Sequence, residues 1–459
     1  MPASRLTGGA RALALEIAAE ARAEWGFASD LIARAFRAHR ELSSSDRRLC
    51  SETVYGLIRM DRRLGAILEE LTSVTALAPH ARDELKLLVY EARGGVPVEA
   101  LAAETKRLGR EPIDLSRALG DEAGLSGRRG LEREAVRLSY PTWMLEMFVE
   151  DHGHDEALLL AEAMNRRAPL AIRANTARGS REALIDRLAD EQVVARPTAL
   201  ASAGLVCETR MNAFALTAFR EGLFEVMDEG SQLVAELVAP PPGGRVVDAC
   251  AGAGGKTLAI GAALGGKGRM LALDTDGKKL EELRRRARRA GLTNVEAHQV
   301  GADGSIVWGR TGSAGSSPSR GARDPSRDSL KTAQFDRVLV DAPCSGLGTL
   351  RRNPEARWRL TRATVETFPA RQVALLVTYA PLVAVGGRLI YATCTVARSE
   401  NDLVVERFLA ERDDFVPVPV KEIWGRERAE QLGDGMTLRL SPNRHDTDGF
   451  FAAVMRRVR

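Results

Sequence analysis

The sequence predicts a multidomain protein of class α + α/β, and three observations lead to this prediction. In the first ~130 residues, apolar side chains recur at helical spacing, as in the stretch 61–71 (DRRLGAILEEL), where they form one stripe. After residue ~139, short stretches follow one another as helix, strand, helix, strand and strand. From residue ~236, short apolar runs alternate with helical stretches, which is typical of a parallel sheet covered by helices on both faces.

Particular residues justify each part in order. Ser43, Ser44, Ser45 and Asp46 are capping candidates before a helix of the first part. Pro141 begins a helix, and the small α+β part is read from LAIRANT, SREALIDRLADE, VVARPTAL and GLVCET. The strands of the last part are read from RVVDAC, MLALD, VEAHQV, RVLVDA, RLIYATC and FFAAVMR.

Composition and charge narrow the class of protein. The 459 residues suffice for two or three domains, and 44% apolar with 28% charged residues is ordinary for a soluble globular protein. A net charge of +4 is compatible with a nucleic-acid partner but does not single one out. Because we find neither a signal peptide nor an apolar run of ~18 residues, we expect a cytoplasmic protein without membrane association.

The cysteines argue against disulfides and zinc. There are five, spread widely and without a CxxC pair: Cys50, Cys207, Cys250, Cys344 and Cys394. His298 and His445 show no metal-ligand spacing, so we expect no metal. Free thiols fit a reducing cytoplasm, where a cysteine is either a buried filler or a reactive group.

Two basic stretches can each be interpreted either as solvent-exposed surface or as a site of contact with RNA. The segment 309–332 is rich in Ser, Gly, Arg and Pro, which favours a disordered surface insertion over an RNA-contacting loop. The run RRRARR, 284–289, is interpreted as a solvated helix face in preference to an RNA site.

The stretch DACAGAGGKT, 248–257, contains a glycine turn for which three ligands compete. A Walker phosphate loop fails because Cys250 stands where its first glycine must be. A dinucleotide fingerprint is weakened, though not excluded, because Thr257 occupies the place of its third glycine. S-adenosylmethionine also binds after the first strand of an open α/β sheet, where glycine lets the backbone approach the ligand closely.

Two aspartates extend the third interpretation. Asp274 ends the second strand, where an acidic acceptor for the ribose hydroxyls is needed, and Asp303 follows the third strand, where the adenine amino group needs an acceptor. The alternative for each is a helix N-cap. The turn and both aspartates, in order after successive strands, favour S-adenosylmethionine as cofactor.

Two further strands each end in a cysteine. VLVDAPCSGLG carries Asp341 and Cys344, and LIYATCT carries Cys394. If these strands are neighbours, both thiols lie at the cofactor's edge of the sheet. A methyl donor and two thiols suit methylation of pyrimidine carbon 5: one thiolate adds to carbon 6, and the second thiol assists release. Asp341 can hydrogen-bond or protonate ring nitrogen 3.

Several motifs then resemble a known family. DACAGAGGKT, DAPCSGLGTLRRNPEARW, YATCTVARSEN and DGFF resemble the RNA cytosine-5 methyltransferases of the Sun type. SSDRRLCSETVYGLIR is similar to the NusB-like RNA-binding domain of a bacterial branch that methylates 16S ribosomal RNA. The resemblance implies a NusB-like domain over 1–132, a linker helix and small α+β RNA-binding subdomain over 133–235, and a Rossmann-like methyltransferase domain over 236–459.

The resemblance also implies roles for residues. Cys394 is expected to be the nucleophile and Cys344 to serve product release, with Asp341 near the methyl group. Asp274 is expected on the ribose and Asp303 on the adenine. The cofactor loop would consist of Cys250, Ala251, Gly252, Ala253, Gly254, Gly255 and Lys256, and the substrate cleft would include Arg352, Asn353 and Pro354.

Two departures from the family pattern stand out. Ala253 replaces the usual proline of the cofactor loop, which removes a fixed φ. TVARSEN follows Cys394 where a Pro-Glu-Glu-Asn type is common, although Glu400 and Asn401 still match. The expected partner is small-subunit ribosomal RNA, bound by a monomer. The alternatives are methylation of transfer RNA or large-subunit RNA, or a ribosome-assembly factor that performs little chemistry.

Overall fold

The computed structural model describes residues 8–71, 77–108, 113–209, 212–301, 306–307 and 334–459. Asp303 and the segment 309–332 lie outside the described residues, so the expectations for both stay predictions. The chain divides into two compact units, Met1–Arg167 with Thr349–Thr364 and Ala168–Gly348 with Val365–Arg459. The three-part division expected from the sequence also stays a prediction.

The described helices are α1 (Gly8–Glu24), α2 (Ala28–Ala38), α3 (Ser44–Arg59), α4 (Asp61–Leu71), α5 (Pro79–Arg93), α6 (Ala102–Leu108), α7 (Gly130–Leu138), α8 (Thr142–His152), α9 (His154–Met164), α10 (Arg181–Asp190), α11 (Thr217–Arg220), α12 (Glu229–Leu237), α13 (Gly255–Ala263), α14 (Gly277–Ala290), α15 (Ala356–Arg359), α16 (Arg362–Val365), α17 (Phe368–Tyr379), α18 (Asp402–Glu411), α19 (Lys421–Trp424), α20 (Arg426–Gln431) and α21 (Pro442–His445).

The described strands are β1 (Leu170–Ala174), β2 (Ala195–Pro197), β3 (Gly204–Cys207), β4 (Phe224–Val226), β5 (Arg245–Asp248), β6 (Arg269–Asp274), β7 (Val295–Val300), β8 (Ile306–Val307), β9 (Phe335–Asp341), β10 (Val383–Thr393), β11 (Phe415–Val418), β12 (Leu438–Leu440) and β13 (Phe450–Arg457).

The first unit is helical, as its apolar spacing predicts. The Ser43 hydroxyl caps α3 by accepting a hydrogen bond from the Asp46 N–H at 3.1 Å. Leu64, Ile67 and Leu68 of α4 are buried in the helical core. The predicted helix over 61–71 and the cap before α3 are therefore confirmed.

Residues 349–364 belong to this helical unit although they follow β9 in the sequence. Their Arg357 is fully buried, and it donates hydrogen bonds to the Ser139 carbonyl at 3.1 Å, to Asn165 Oδ1 at 2.9 Å and to the Tyr140 hydroxyl at 3.2 Å. Trp358 Nε1 donates to the Ile58 carbonyl at 2.7 Å. A buried guanidinium needs such acceptors, because an unpaired buried charge is very costly.

The second unit begins with a small antiparallel sheet in the order β2-β3-β1-β4, which α10 accompanies. The predicted succession of strand, helix, strand and strand is thus confirmed. Strand β4, which is three residues long, was not predicted from the sequence.

A larger sheet follows, in the order β11-β13-β10-β9-β5-β6-β7-β8 with β12 paired to β13. Strands β10, β9, β5, β6 and β7 are parallel, whereas β13 runs antiparallel to β10. The chain passes from β5 outward to β7 and then returns to the other side of β5 with β9. The crevice at the carboxyl ends of β5 and β9 is therefore a topological switch point, where ligands bind in open α/β sheets.

Both faces of this sheet are buried. Val246, Leu339 and Ile390 pack with residues of α12 and α13 on one face, while their neighbours Val247 and Val338 pack with α17 and α18 on the other. Successive strand residues point to opposite faces, so continuous apolar runs are what this arrangement requires. The predicted Rossmann-like class is confirmed. Among the described residues, none of the helices is long and apolar enough to cross a membrane.

Candidate active site

The glycine turn joins β5 to α13 at the switch point. Gly252 has a φ of 54° and Gly254 a φ of 89°, which lie in a backbone region that residues other than glycine rarely adopt. A Cβ on Gly254 would also lie 2.6 Å from Leu283 Cγ of α14. The turn therefore needs glycine both for its backbone conformation and for its close contact with α14.

Asp274, at the end of β6, contacts this turn directly. Its Oδ2 accepts a hydrogen bond from the Gly252 N–H at 2.8 Å, and its Oδ1 accepts one from the Asp276 N–H at 2.8 Å. The cap of α14 is Asp276, which accepts from the Lys278 N–H at 2.9 Å. The N-cap alternative considered for Asp274 is therefore wrong, and its carboxylate lies against the glycine turn.

Lys256, in the first turn of α13, reaches across to the end of β9. Its ammonium donates to Asp341 Oδ2 at 2.7 Å and lies 5.1 Å from the ring centre of Phe450, in the DGFF motif. Burial by itself would lower the pKa of Lys256, but the Asp341 carboxylate more than offsets it and the pKa is raised. The glycine turn, β9 and β13 thus meet at one buried cation.

The two predicted cysteines come together. β9 and β10 are parallel neighbours, with Asp341 opposite Ala392, and the Sγ atoms of Cys344 and Cys394 lie 3.4 Å apart. The hydrogen bond to Cys394 and burial hold the pKa of Cys344 well above its ordinary value. The Lys256 ammonium also interacts electrostatically with Cys394.

A buried carboxylate fixes the residues that follow both cysteines. Glu400 is fully buried; its Oε2 accepts from the Ser345 N–H at 2.9 Å and from Gln372 Nε2 at 3.0 Å. Its Oε1 accepts from the hydroxyls of Ser345 and Thr395. Burial raises the pKa of Glu400. Glu400 thereby links the Cys344 loop to the Cys394 loop.

Backbone contacts hold the same two loops. The Gly348 N–H donates to the Cys394 carbonyl at 3.0 Å, and the Gly449 N–H donates to the Gly348 carbonyl at 2.8 Å. A Cβ on Gly348 would stand 2.1 Å from the Gly449 oxygen. The backbone segments at Gly348 and Gly449 therefore approach each other so closely that only glycine fits at position 348. Asn401 accepts from the Thr393 hydroxyl at 2.6 Å and donates to the Thr395 carbonyl at 3.1 Å. Glu400 and Asn401, which matched the family pattern, thus hold the segment that contains Cys394.

Comparison with known proteins gives this geometry a family. The family model described as 16S rRNA methyltransferase RsmB/F matches residues 235–456, and a model described as a ferredoxin-like domain of RsmF/B-like methyltransferases matches 140–213. A relative from Synechocystis sp., described as a probable ribosomal RNA small subunit methyltransferase B, is 32% identical over 98% of this chain and 99% of its own length. The chain belongs to the RsmB/F methyltransferase family.

Solved structures agree with the fold. The crystal structure of PH0851 covers 99% of this chain and 100% of its own, with a TM-score of 0.74 and 24% identity. A methyltransferase homolog protein from Pyrococcus horikoshii covers 71% of this chain and 98% of its own, with a TM-score of 0.55 and 25% identity. The resemblance to the Sun-type enzymes and the Rossmann-like methyltransferase fold are both confirmed.

Membership of the RsmB/F family makes S-adenosylmethionine the cofactor, as the sequence predicted, and the residues at the switch point fit it. The backbone is open at Gly252 and Gly255, where an added Cβ would meet no atom within 4 Å. Asp248, at the end of β5, is buried, and its Oδ1 has no hydrogen-bond partner among the described residues, while its Oδ2 accepts from the Thr257 hydroxyl at 2.7 Å. An orphaned carboxylate oxygen beside an open turn suits a ligand with hydrogen-bond donors.

Asp248 was not among the predicted site residues, although it is the first residue of the stretch DACAGAGGKT, from which the loop was predicted. Burial raises the pKa of Asp248 to about 7. Its position at the carboxyl end of the first strand was the signal that could have found it. Burial also raises the pKa of Cys250, the first residue of the predicted cofactor loop, and nearby carboxylates raise this pKa further.

The remaining predicted residues belong to other parts of the chain. Arg352, Asn353 and Pro354 belong to the helical unit, so their expected place in a substrate cleft stays a prediction. Cys50 and Cys207 are buried in apolar cores, as expected of fillers. Within the described ranges, the acidic, histidine and cysteine side chains form no group of three that suits a metal ion.

The interpretation of RRRARR as a solvated face is wrong for two of its arginines. Arg285 is exposed, but Arg286 and Arg289 are only 15% and 22% exposed and pair with Glu225 of β4. The sequence could not show this, because the partner is a single glutamate on a strand that was not predicted.

Proposed function

We propose that this member of the RsmB/F family methylates carbon 5 of a cytosine in small-subunit ribosomal RNA, with Cys394 as nucleophile and Cys344 in product release. One observation carries the chemistry: two thiols lie 3.4 Å apart at neighbouring strand ends, beside the glycine turn. The relatives support the substrate, since those matched over most of the chain are named for small-subunit ribosomal RNA.

The arrangement supports a division of labour between the cysteines. The hydrogen bond to Cys394 and burial raise the pKa of Cys344, so we assign the proton of this pair to Cys344 and the role of nucleophile to Cys394, which interacts with the Lys256 ammonium. The Cys394 thiolate adds to carbon 6 of the cytosine, which turns carbon 5 into a nucleophile. S-adenosylmethionine supplies the electrophilic methyl group.

The later steps fall to the neighbouring residues. Asp341, at the end of β9 and hydrogen-bonded to the Lys256 ammonium, is the group we assign to ring nitrogen 3: with a proton passed from Lys256, it acts as the acid that donates to this nitrogen while the thiolate attacks carbon 6. Release requires that a base take the carbon 5 proton while the bond between Cys394 and carbon 6 breaks and its electron pair returns to the Cys394 sulfur. We assign to Cys344, whose sulfur is in contact with that of Cys394, the donation of its thiol proton to the departing sulfur, and to water the uptake of the carbon 5 proton.

For the cofactor, we assign Asp274 to the ribose and Asp303 to the adenine. We assign the cofactor loop, from Cys250 to Lys256, to the methionine part. The Asp274 carboxylate already accepts a hydrogen bond from the Gly252 N–H. A ribose that hydrogen-bonds to this carboxylate would therefore lie against the glycine turn. Arg352, Asn353 and Pro354 are assigned to substrate. The proposed setting is a cytoplasmic enzyme that acts on an unpaired or flipped cytosine.

Bisulfite sequencing of total RNA tests reaction and substrate together. A strain that lacks this protein is compared with its parent and with strains complemented by the wild type, Cys394→Ala or Cys207→Ala. We expect one small-subunit cytosine to become convertible in the deletion and in the Cys394→Ala strain, and to stay protected with Cys207→Ala, which changes a buried core cysteine. A change in another RNA contradicts the substrate, and no change in any RNA favours an assembly factor.

The roles of the cysteines are tested by denaturing electrophoresis with labelled RNA. We expect Cys344→Ala to accumulate a protein–RNA adduct that survives denaturation, because release is blocked, and Cys394→Ala to form none. An adduct with Cys394→Ala instead would exchange the two roles.

A further inference from the structure

The helix α14 places two arginines against one buried glutamate. The Glu225 side chain, from β4 of the small sheet, is 3% exposed, and it accepts from Nε and Nη2 of Arg286 at 3.1 and 3.0 Å and from Arg289. Arg289 also lies over the Phe219 ring, with its guanidinium carbon 3.8 Å from the ring centre. Arg173, which is 4% exposed, also interacts electrostatically with Glu225, and its Nε and Nη2 have no hydrogen-bond partner among the described residues, so three cations share one buried carboxylate.

Arg286 does something that Arg289 does not. Its remaining nitrogen, Nη1, donates to the carbonyl of Ala253 at 2.7 Å. A guanidinium is planar and holds its donors in a fixed fork, so the bonds to Glu225 fix the direction in which Nη1 points. The Ala253 carbonyl is therefore held by a side chain that is itself rigidly held.

This carbonyl belongs to a part of the cofactor loop whose backbone has much conformational freedom. Ala253 stands between Gly252 and Gly254, both with positive φ, and glycine loses more conformational freedom on ordering than any other residue. The Gly252 N–H is fixed by Asp274, and the Gly254 N–H is fixed by the Ala251 carbonyl at 2.9 Å. The bond from Arg286 to the Ala253 carbonyl and the bond from the Gly254 N–H to the Ala251 carbonyl hold opposite ends of one peptide group, the one between Ala253 and Gly254.

We propose that Arg286 is a positioning residue for S-adenosylmethionine: by holding the Ala253 carbonyl it keeps the glycine turn in the binding conformation. Glu225 supports it, so the small sheet contributes to cofactor affinity without touching the cofactor. The inference depends on the cofactor alone and not on which base is methylated.

The test compares Arg286→Gln with Arg289→Gln in the full-length chain. Both variants remove one arginine from Glu225, but only the first breaks the bond to Ala253. Titration calorimetry with S-adenosylmethionine, in the absence of RNA, gives the dissociation constant. We expect a rise of roughly 10- to 100-fold for Arg286→Gln, the factor that corresponds to losing one charge-assisted hydrogen bond, and less than about 3-fold for Arg289→Gln.

Steady-state kinetics separates positioning from folding. With Arg286→Gln we expect the KM for S-adenosylmethionine to rise by the same factor while the KM for RNA stays close to wild type. The thermal midpoint should fall, and fall similarly with Arg289→Gln, because each variant takes one arginine from the buried Glu225. Arg286→Lys keeps the charge without the fork and is expected to bind the cofactor as weakly as the glutamine variant. Equal effects of Arg286→Gln and Arg289→Gln on the dissociation constant, or full affinity with Arg286→Lys, overturn the proposal.

A second variant covers the case in which Arg286→Gln does not fold. Glu225→Gln leaves both arginines in place but removes the buried negative charge that they share, so it should lower the thermal midpoint, and we expect the folded protein to have a dissociation constant a few-fold above wild type. An unchanged constant in a folded Glu225→Gln protein contradicts the supporting role of the small sheet. Because calorimetry needs no RNA, a wrong RNA target leaves this outcome unaffected.

Discussion

Replacement of Glu400 separates the charge of this buried carboxylate from its hydrogen bonds. Its Oε2 accepts from two N–H groups, those of Ser345 and Gln372, whereas its Oε1 accepts from the hydroxyls of Ser345 and Thr395. A glutamine can place its carbonyl oxygen at the first position and its NH₂ at the second, because hydroxyls rotate and accept as readily as they donate. We therefore expect Glu400→Gln to lower the free energy of unfolding by about 1 kcal/mol or less.

Glu400→Ala is different. It leaves two buried N–H donors without an acceptor, and each costs about 1–3 kcal/mol, so we expect a loss of roughly 2–6 kcal/mol. Because Ser345 and Thr395 each follow a cysteine, methyl transfer per folded molecule should also fall strongly with alanine and little with glutamine.

The assay combines guanidinium unfolding with single-turnover methyl transfer, corrected for the folded fraction. Glu411→Gln is the matched control, since Glu411 is 50% exposed and pairs only with Arg407 of the same helix among the ion pairs described for it. If Glu400→Gln proves as damaging as Glu400→Ala, the negative charge holds the two loops and the reasoning from hydrogen bonds is refuted.

Three further predictions concern other parts of the chain. Burial raises the pKa of Asp248 to about 7, so the folded protein holds a proton that the unfolded chain, with an ordinary pKa of ~3.9, has lost; stability should fall as pH rises from about 4 to 7, and denaturant midpoints of Asp248→Asn should lack that fall. An equal fall in the variant would assign it to another group. Gly348→Ala should abolish methyl transfer, because its Cβ would meet the Gly449 oxygen at 2.1 Å and displace the Cys394 loop; near-normal activity would show that the loop tolerates displacement. Arg357→Leu should destabilise the helical unit by about 2–4 kcal/mol in chemical unfolding, because its acceptors lose their donors, and a change below about 0.5 kcal/mol would contradict this.

Local chemistry made much of the site predictable. A glycine turn after a buried strand, an aspartate after the next strand and two cysteines at later strand ends are each visible within a few residues. Parallel strands bring their carboxyl ends to one edge, so order along the chain becomes proximity in space. The contact between Cys344 and Cys394 and the closeness of Asp274 to the glycine turn follow from that rule.

The partners of single polar residues were beyond this reasoning. Glu225 and Arg286 are 61 residues apart, and Ser345 and Glu400 are 55 apart, with no periodicity to connect them. A charged run such as RRRARR reports its charge but not which of its members face a buried acid. The membership of 349–364 in the helical unit likewise depends on where Arg357 finds its acceptors.

The sequence by itself therefore determined the class of fold, the glycine turn and the two cysteines that lie together at neighbouring strand ends, because each can be read from local periodicity and from residue types at strand ends. Only the tertiary structure decided what holds them in place: Glu400 between the cysteine loops, Arg286 behind the glycine turn and Lys256 on Asp341. The apolar pattern of a sequence predicts which side chains are buried. The hydrogen-bond partner of a buried polar side chain, however, is decided by how segments distant in the sequence pack together.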